Sequence, residues 1–598
     1  MYISNMKLWN FRKFGTDADF QPDNPPNLDL NFTKGLNVII GENDSGKSAI
    51  IDAIKLVLKT HSYEYIKVEH SDFSYRSNRF RIEIRFENLS PDEAKNFTEW
   101  LGWTGTGENA EPYLKVILDV KRKGDRILPS DIKAGVDEDG YQLTAEAREY
   151  LKATYLKPLR DAENDLIAKK NSRLSQILIG DTAFKGKEKD HELVEIFNEF
   201  NENLKKYFKG ELNENKEGKA IKDKIDGYIQ QFYSKNHETE FETAKGEIKS
   251  ILEKLTLTLK DEPNPGLGTL NRLCMAAELL HLGKENWSGI RLGLIEELEA
   301  HLHPQAQMQV IETLQRLVTI QLILTTHSPN LASKVKLKNL ILCNKSNAFP
   351  MGSNYTKLEP DDYKFLEKFL DTTKANLFFA KGVILVEGWA EEILIPSIAK
   401  NIGINLTEKG VSIVNVGNLA FTKYAKIFIR KEKPEMKIPV AVITDSDVRE
   451  YYKKKTVEGD SIIKRDSLTI KKETKQQIAD ITAKSEKNVQ YFIAPNWTLE
   501  YSLFKSSSGL CNIFKGTVKS IHSGTDWETD FEKSLAEKLI NKTLKKTEIA
   551  YQIAHSVDLD LKKVEKGRKE TPSIIIKIDD ETDTINYLVK AIQYAAGN

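Results

Sequence analysis

Residues 36–58 leave this chain few choices. Leu36-Asn37-Val38-Ile39-Ile40 is an apolar run of strand length, while Ala49, Ile50, Ile51, Ala53, Ile54, Val57 and Leu58 recur at helical spacing. Between them stands Gly41-Glu42-Asn43-Asp44-Ser45-Gly46-Lys47-Ser48. The glycines at 41 and 46 let the backbone wrap an anion, with successive N–H groups turned inward. Lys47 can then reach the β- and γ-phosphates, Ser48 can hold Mg²⁺, and the following helix adds its dipole. Strand, phosphate loop and helix in that order predict an α/β layer that binds ATP or a close relative, with Gly41, Asn43, Gly46, Lys47 and Ser48 lining the site.

The chain of 598 residues has room for roughly three or four domains. Lys and Arg together number 88, as do Asp and Glu, so any attraction to nucleic acid has to come from a local patch. No apolar run approaches the length that crosses a bilayer, and the opening Met1-Tyr2-Ile3-Ser4-Asn5 does not resemble a leader peptide. Cys274, Cys343 and Cys511 stand far apart, without the spacing of a disulfide framework or a zinc ribbon. A reducing, cytoplasmic setting is the expectation.

Residues 1–145 read as the first part of the nucleotide-binding domain, with strands at Ile3–Leu8, around 81–86 and around 114–120. Residues 146–258 are charge-laced, poor in glycine and helically spaced, which predicts a helical insertion suited to dimerisation or a solvated hairpin. The nucleotide-binding domain resumes over 259–350. Leu292-Gly293-Leu294-Ile295 is a buried strand that ends in Glu296 and Glu297. In phosphoryl-transfer sites the first such acid helps hold Mg²⁺, and the second can activate the attacking water. Leu322-Ile323-Leu324-Thr325-Thr326-His327-Ser328-Pro329 is another strand, ending in a histidine. Upstream, Gly266 and Gly268 open an apolar helix, a further anion-binding geometry. His301 and His303 are read as capping or packing residues of the turn after the acids rather than as metal ligands.

Phosphate loop, glycine-rich helix start, strand-Glu-Glu and strand-Thr-His-Ser-Pro resemble an ATPase of the ABC class, in its soluble branch with the SMC- and RecF-type proteins. The resemblance implies that Gly266 and Gly268 face a partner's ATP, and that Glu297 and His327 sit near the γ-phosphate. Glu296 stands where most of the class has Asp, and the signature is not the full Leu-Ser-Gly-Gly-Gln.

After a polar passage at 351–376 comes a second α/β unit, 377–598, with a helical extension at its end. Val383–Val386 delivers Glu387 to a strand end, with Glu391 about one helical turn further on. Val440–Thr444 ends in Asp445-Ser446-Asp447, whose two acids can point the same way and share a cation. Val489–Ala494 leads on to Trp497-Thr498-Leu499-Glu500. Strand-Glu-Gly followed by strand-Asp-x-Asp resembles a Toprim domain. Joined to the ATPase, Phe379-Ala380-Lys381-Gly382, Thr444-Asp445-Ser446-Asp447 and Thr498-Leu499-Glu500 resemble the OLD (overcoming lysogenization defect) family, which includes the nuclease subunit of the Gabija antiphage system. The resemblance implies an ATP-regulated endonuclease that acts on DNA as a homodimer or higher oligomer, with a helicase-like partner protein possible. It also implies that Glu387, Glu391, Asp445, Asp447 and Glu500 hold Mg²⁺ or Mn²⁺, with Lys566 as the assisting lysine. Basic groups at Lys423, Lys426, Arg430 and Lys431, at Lys453–Lys455, at Lys464–Arg465 and at Lys562–Lys563 suit phosphate-backbone contacts. The competing reading is a DNA clamp that does not cleave, with the Toprim fold as a platform.

Overall fold

The computed structural model describes residues 1–597 apart from 17, 22, 62–64, 158–165, 185, 188–189, 213–215, 234–236, 243–245, 263–264, 284–287, 418–420, 457–458 and 566–573. The chain forms two compact units, 1–37 with 48–325 and 38–47 with 326–598. It passes from one unit to the other inside the phosphate-loop motif, between Lys47 and Ser48.

In the first unit an antiparallel sheet runs Leu28–Asn31, Tyr2–Trp9, Arg79–Glu87, Glu111–Lys123, Ile132–Ala134, Tyr141–Gln142. Alternation explains its buried face. Phe80, Ile82, Ile84 and Phe86 lie opposite Val120, Leu118, Val116 and Leu114, all eight buried. Beside this sheet in the sequence, Thr154–Leu156, Leu292–Ile295 and Gln321–Thr326 pair in parallel. The strand at 154–156 interrupts a region expected to be helical. Three residues are too few to carry a period, and only their pairing to 293–295 makes them a strand.

Among the other described residues of that region, helices occupy Arg173–Ile179, Glu192–Lys209, Glu217–Phe232 and Ile248–Leu252. Glu192–Lys209 is capped by His191, whose Nδ1 accepts from Leu193 N at 3.1 Å, and stopped by Gly210 at φ 77°. With Ile248–Leu252 it builds a small satellite core around Val194, Ile248, Ile251 and Leu252, on which Leu178 and Ile179 also pack, while the helix Glu217–Phe232 packs against Glu192–Lys209.

In the second unit Val38–Gly41, the greater part of the buried strand Leu36–Gly41, lies parallel to Leu340–Asn344, which pairs antiparallel with Asn347–Pro350. A separate four-stranded parallel sheet has the order Val411–Asn415, Gly382–Val386, Val440–Thr444, Val489–Ile493. Helices Trp389–Asn401, Leu510–Ile521, Lys546–Glu565 and Asn586–Ala596 share one core with it, so the helical extension completes the unit. The last helix comes so close that a Cβ on Gly382 would lie 1.9 Å from the Ala595 carbonyl oxygen. Only glycine fits there.

The passage at 351–376 is folded. It contains helices Pro360–Phe369 and Thr372–Ala375, and Thr356 bridges to Arg430. The buried Asp362 carboxylate takes ion pairs from Lys423 at 2.9 Å and Lys426 at 3.1 Å. Its pKa lies below the usual value, because those bonds and the Glu359 N–H outweigh burial.

Candidate functional sites

The phosphate loop is shaped by its glycines. Gly41 has φ 144°, with the Cys343 carbonyl oxygen 2.3 Å from where a Cβ would stand, and Gly46 has φ 103°. The buried Lys47 ammonium turns into the loop and donates to the carbonyls of Gly41 (2.9 Å) and Glu42 (2.6 Å) and to Ser45 Oγ (3.3 Å). These are the positions over which an anion cradle closes.

In the first unit, Ser48 and Glu296 are brought together. Glu296 sits buried at the end of Leu292–Ile295, accepts from Tyr155 Oη at 2.9 Å and is hydrogen-bonded by Ser48. Burial, helped by Asp52, pushes its pKa up against the opposing pull of Tyr155, Ser48 and Lys55. Glu297 is exposed, in a left-handed conformation at φ 45°, with its N–H on Thr325 Oγ1 at 3.2 Å. The helix Leu267–Leu282 starts at Gly266, whose missing Cβ faces open space, whereas a Cβ on Gly268 would lie 2.7 Å from the His301 carbonyl oxygen. Gly268 therefore serves packing within its own chain, and Gly266 faces outward. His303 caps the helix Pro304–Leu314. In the second unit His327, half-buried, follows strand Gln321–Thr326 immediately.

The Toprim-like sheet gathers acids at the carboxyl ends of its strands. Glu387 Oε1 accepts from Thr444 Oγ1 and, at 3.3 Å, from Asp445 N. Asp445 Oδ1 accepts from Leu499 N at 2.9 Å. Glu391 lies in the first turn of Trp389–Asn401. Glu500 is 2% exposed, in the first turn of Leu499–Lys505, a helix that Thr498 caps. Asp447 stands apart: it is exposed, at φ 56°, and its N–H bonds to the Trp497 carbonyl at 3.1 Å.

Electrostatics tie four of these acids together. Burial comes first, and Glu500 and Glu387 add to it, so that the Glu391 carboxyl is pushed up to about 7. Asp445 is raised well above its ordinary range by burial, then by Glu500, Glu387 and Glu391, and Glu387 is raised by burial with Asp447 contributing. Tyr587 on the last helix feels Asp445, Glu391, Glu500 and Glu387 on top of its burial, which keep its phenol neutral.

The balancing charge is Lys546, whose Nζ is 2.9 Å from Glu500 Oε2. Its ammonium is raised above the usual lysine value, because Glu500, Asp445 and Glu391 overcome desolvation. Among the described residues, no group other than Lys546 donates to either Glu500 oxygen. Sequence reading missed Lys546, since nothing local distinguishes it from other lysine pairs; only the fold brings the start of its helix to Glu500. Lys566, the residue expected in this role, lies outside the described residues.

Among the described residues no three His, Cys, Asp or Glu side chains form an assembled metal-ligand group. The donor chemistry nevertheless fits a hard divalent cation: the set is all carboxylate, several members are hard to ionise side by side, and buried Glu500 has no described donor beside Lys546.

Several of the basic groups are engaged locally. Lys464 pairs with Glu532 at 2.8 Å and Arg465 with Glu473 at 2.7 Å, while Arg430 is buried between Phe349 and Tyr355. Lys454 and Lys455 are exposed on the hairpin Tyr451–Thr456/Gly459–Lys464, and Lys562 and Lys563 are exposed as well. No described helix is long and apolar enough to cross a membrane.

Comparison with known proteins gives two family matches. Residues 378–447 match the overcoming lysogenization defect protein-like TOPRIM domain, and residues 36–333 match an AAA domain described as a putative AbiEii toxin of a type IV toxin–antitoxin system. Among curated relatives, Endonuclease GajA of Bacillus cereus (strain HuB5-5) is 23% identical over 549 residues, 75% of this chain and 77% of that protein. The OLD nuclease of Thermus scotoductus is 26% identical over 166 residues, 26% of this chain and 30% of its own. Among solved structures, an SMC head bound to the C-terminal winged-helix domain of ScpA aligns with TM-score 0.34 and 16% identity, over 58% of this chain and 97% of that one. The C-terminal region of the Xanthomonas campestris pv. campestris OLD protein aligns with TM-score 0.23 and 20% identity, over 37% and 95%.

Proposed function

Taking the chain as an OLD-type fusion of an ABC-class ATPase with a Toprim domain, we propose that it is an ATP-binding and ATP-hydrolysing, divalent-metal-dependent DNA endonuclease serving in antiphage defence. The observation that carries this is the group of Glu387, Glu391, Asp445 and Glu500, in which Glu500 and Glu387 add to burial in raising the pKa of both Glu391 and Asp445, with the Lys546 ammonium 2.9 Å from Glu500. A solvated strand end does not crowd four mutually repelling acids into buried and half-buried positions; a site for phosphate chemistry does. The relatives named as an endonuclease and a nuclease support the same reading.

The reaction is hydrolysis. Water adds to phosphorus, one P–O bond of the phosphodiester breaks, and the departing sugar oxygen takes up a proton. When bound, Mg²⁺ or Mn²⁺ polarises the phosphate and lowers the pKa of the attacking water. The chain's own groups hold the carboxylates in place: Thr444 and the Asp445 N–H orient Glu387, and the Leu499 N–H orients Asp445. Lys546 offsets negative charge beside Glu500, and the exposed Lys454 and Lys455 suit phosphate-backbone contacts. In the ATPase part, Lys47, Ser48 and Glu296 bind nucleotide and its Mg²⁺, and Glu297 and His327 act at the γ-phosphate. The partners are DNA, a second copy of the chain and, on the antiphage reading, a helicase-like protein.

The test is purified protein incubated with plasmid and Mg²⁺ or Mn²⁺, with and without ATP. The parent nicks or linearises the plasmid, and Asp445→Ala cuts at least about a hundredfold more slowly. Equal cutting by Asp445→Ala would remove catalysis from the Toprim acids. If the parent cuts no DNA under any of these conditions, the clamp reading takes its place.

A further inference from the structure

Next to Asp447, on the loops that follow the acid-bearing strands, lies a cavity of about 490 Å³. Val448, Ile470, Ile478 and Trp497 supply its apolar lining, and Lys471 and Lys475 its positive charge. Two loops connect it to the acids. Val448 directly follows Asp447, and Trp497 presents the carbonyl that accepts the Asp447 N–H at 3.1 Å. The same second loop continues to Leu499, whose N–H holds Asp445, and to Glu500. The outer wall is the helix Ser467–Thr482, capped by Asp466. Of that helix only Ile481, near its carboxyl end, is buried, so Ile470 and Ile478 turn toward a space that the protein's own side chains leave unfilled.

We propose that this cavity receives a nucleoside turned out of the DNA duplex next to the phosphate that is cut. This rests on the nuclease reading above and adds to it how the substrate is engaged. A phosphate held at the acids carries a sugar and a base on either side, and the cavity is the space adjoining Asp447. Its volume lies within the range of about 300–1,000 Å³ typical of small-molecule sites, ample for one nucleoside. An apolar lining with an indole suits the face of a base, and Asn496 and Glu450 in the same wall offer hydrogen bonds to its edge. Lys471 and Lys475 stand one helical turn apart, and neither has an ion pair among the described contacts, which suits the flanking phosphates. An uncharged apolar ligand would have no use for that pair of lysines, and a bare phosphate no use for the apolar floor.

The experiment uses full-length protein and a duplex oligonucleotide cut at a mapped position. Ile470→Trp narrows the cavity at its apolar wall, and Lys471→Glu with Lys475→Glu reverses its charge at exposed positions where folding is not at stake. Both variants are expected to lose at least about tenfold in cutting while their melting temperature and ATP turnover stay at parent values. Duplexes with one unpaired nucleotide beside the cut spare the cost of unstacking. The parent should cut such a duplex several-fold faster than the fully paired one, and Ile470→Trp should show no such gain. A parent that cuts paired and unpaired duplexes alike, or variants that cut as well as the parent, would overturn the inference and leave the nuclease reading standing. Failure of the parent to cut any duplex would remove both.

Discussion

Glu391 holds its proton up to about 7, where an ordinary glutamate would have lost it near 4.5. The sign of the consequence depends on what shares the site. In metal-free protein a carboxyl whose folded pKa is raised contributes stability that is present at low pH and is lost as pH climbs from the unfolded value toward the folded one. A divalent cation reverses the preference, because it binds the ionised form. The melting temperature of metal-free protein is therefore expected to fall as pH rises from about 4.5 to about 7, and the increase on adding Mg²⁺ or Mn²⁺ to grow between about pH 6 and about pH 8. Calorimetry at a series of pH values checks both trends, and a metal-induced shift that shrinks with pH would contradict the assignment. Among the described residues Lys546 is the ammonium paired with Glu500, and Lys546→Met removes it. It should lower metal-free stability further at high pH and slow cutting by on the order of a hundredfold.

At the scale of elements, the helices Glu192–Lys209 and Glu217–Phe232 show an unusual surface. Ile196 and Phe200 on the first, and Ile221, Tyr228 and Phe232 on the second, are more than half exposed. They recur at four- and seven-residue steps, the spacing of one apolar face. Two helices that pack on each other and still leave such a stripe outside suit contact with a second copy of the same pair, in keeping with the proposed homodimer. Ile221→Glu with Phe232→Glu should convert the assembly to monomer by light scattering without loss of helix by circular dichroism; an unchanged mass would place the contact elsewhere. The helical character of this segment was legible because its period repeats over several turns. So were the phosphate loop and the strands that end in Glu387 and Asp445, where a continuous apolar run meets glycine or acid within a few residues. Other features depend on partners far along the chain. Thr154–Leu156 is a strand only because 293–295 lies beside it, and 351–376 is folded because Asp362 meets Lys423 and Lys426. Lys546 matters only because its helix begins next to Glu500. No local pattern encodes such pairings, which is why Lys546 went unread while all five acids were named.

For the whole molecule, the question is whether one chain can complete a working ATP site. Gly266 begins its helix at φ −65° and ψ 161°, a conformation open to any residue, and nothing lies within 4 Å of where its Cβ would stand. Within its own chain, then, Gly266 has no need to be glycine, unlike Gly268 beneath the His301 carbonyl. If a second chain brings its nucleotide to that helix start, a bulky side chain at 266 should block turnover while sparing the fold and nucleotide binding. Lys47→Ala should instead abolish binding outright, since the ammonium belongs to the phosphate loop itself. Each variant alone is then inactive, for a different reason. In a dimer of one Lys47→Ala chain and one Gly266→Trp chain, one composite site carries both lesions and the other carries neither. Co-expression with two different affinity tags and purification through both isolates that mixed dimer, which should hydrolyse ATP at about half the parent rate, since one of two equivalent sites is intact. An inactive mixed dimer would show that each chain builds its ATP site alone, and Gly266 would then lose its assigned part in the reaction.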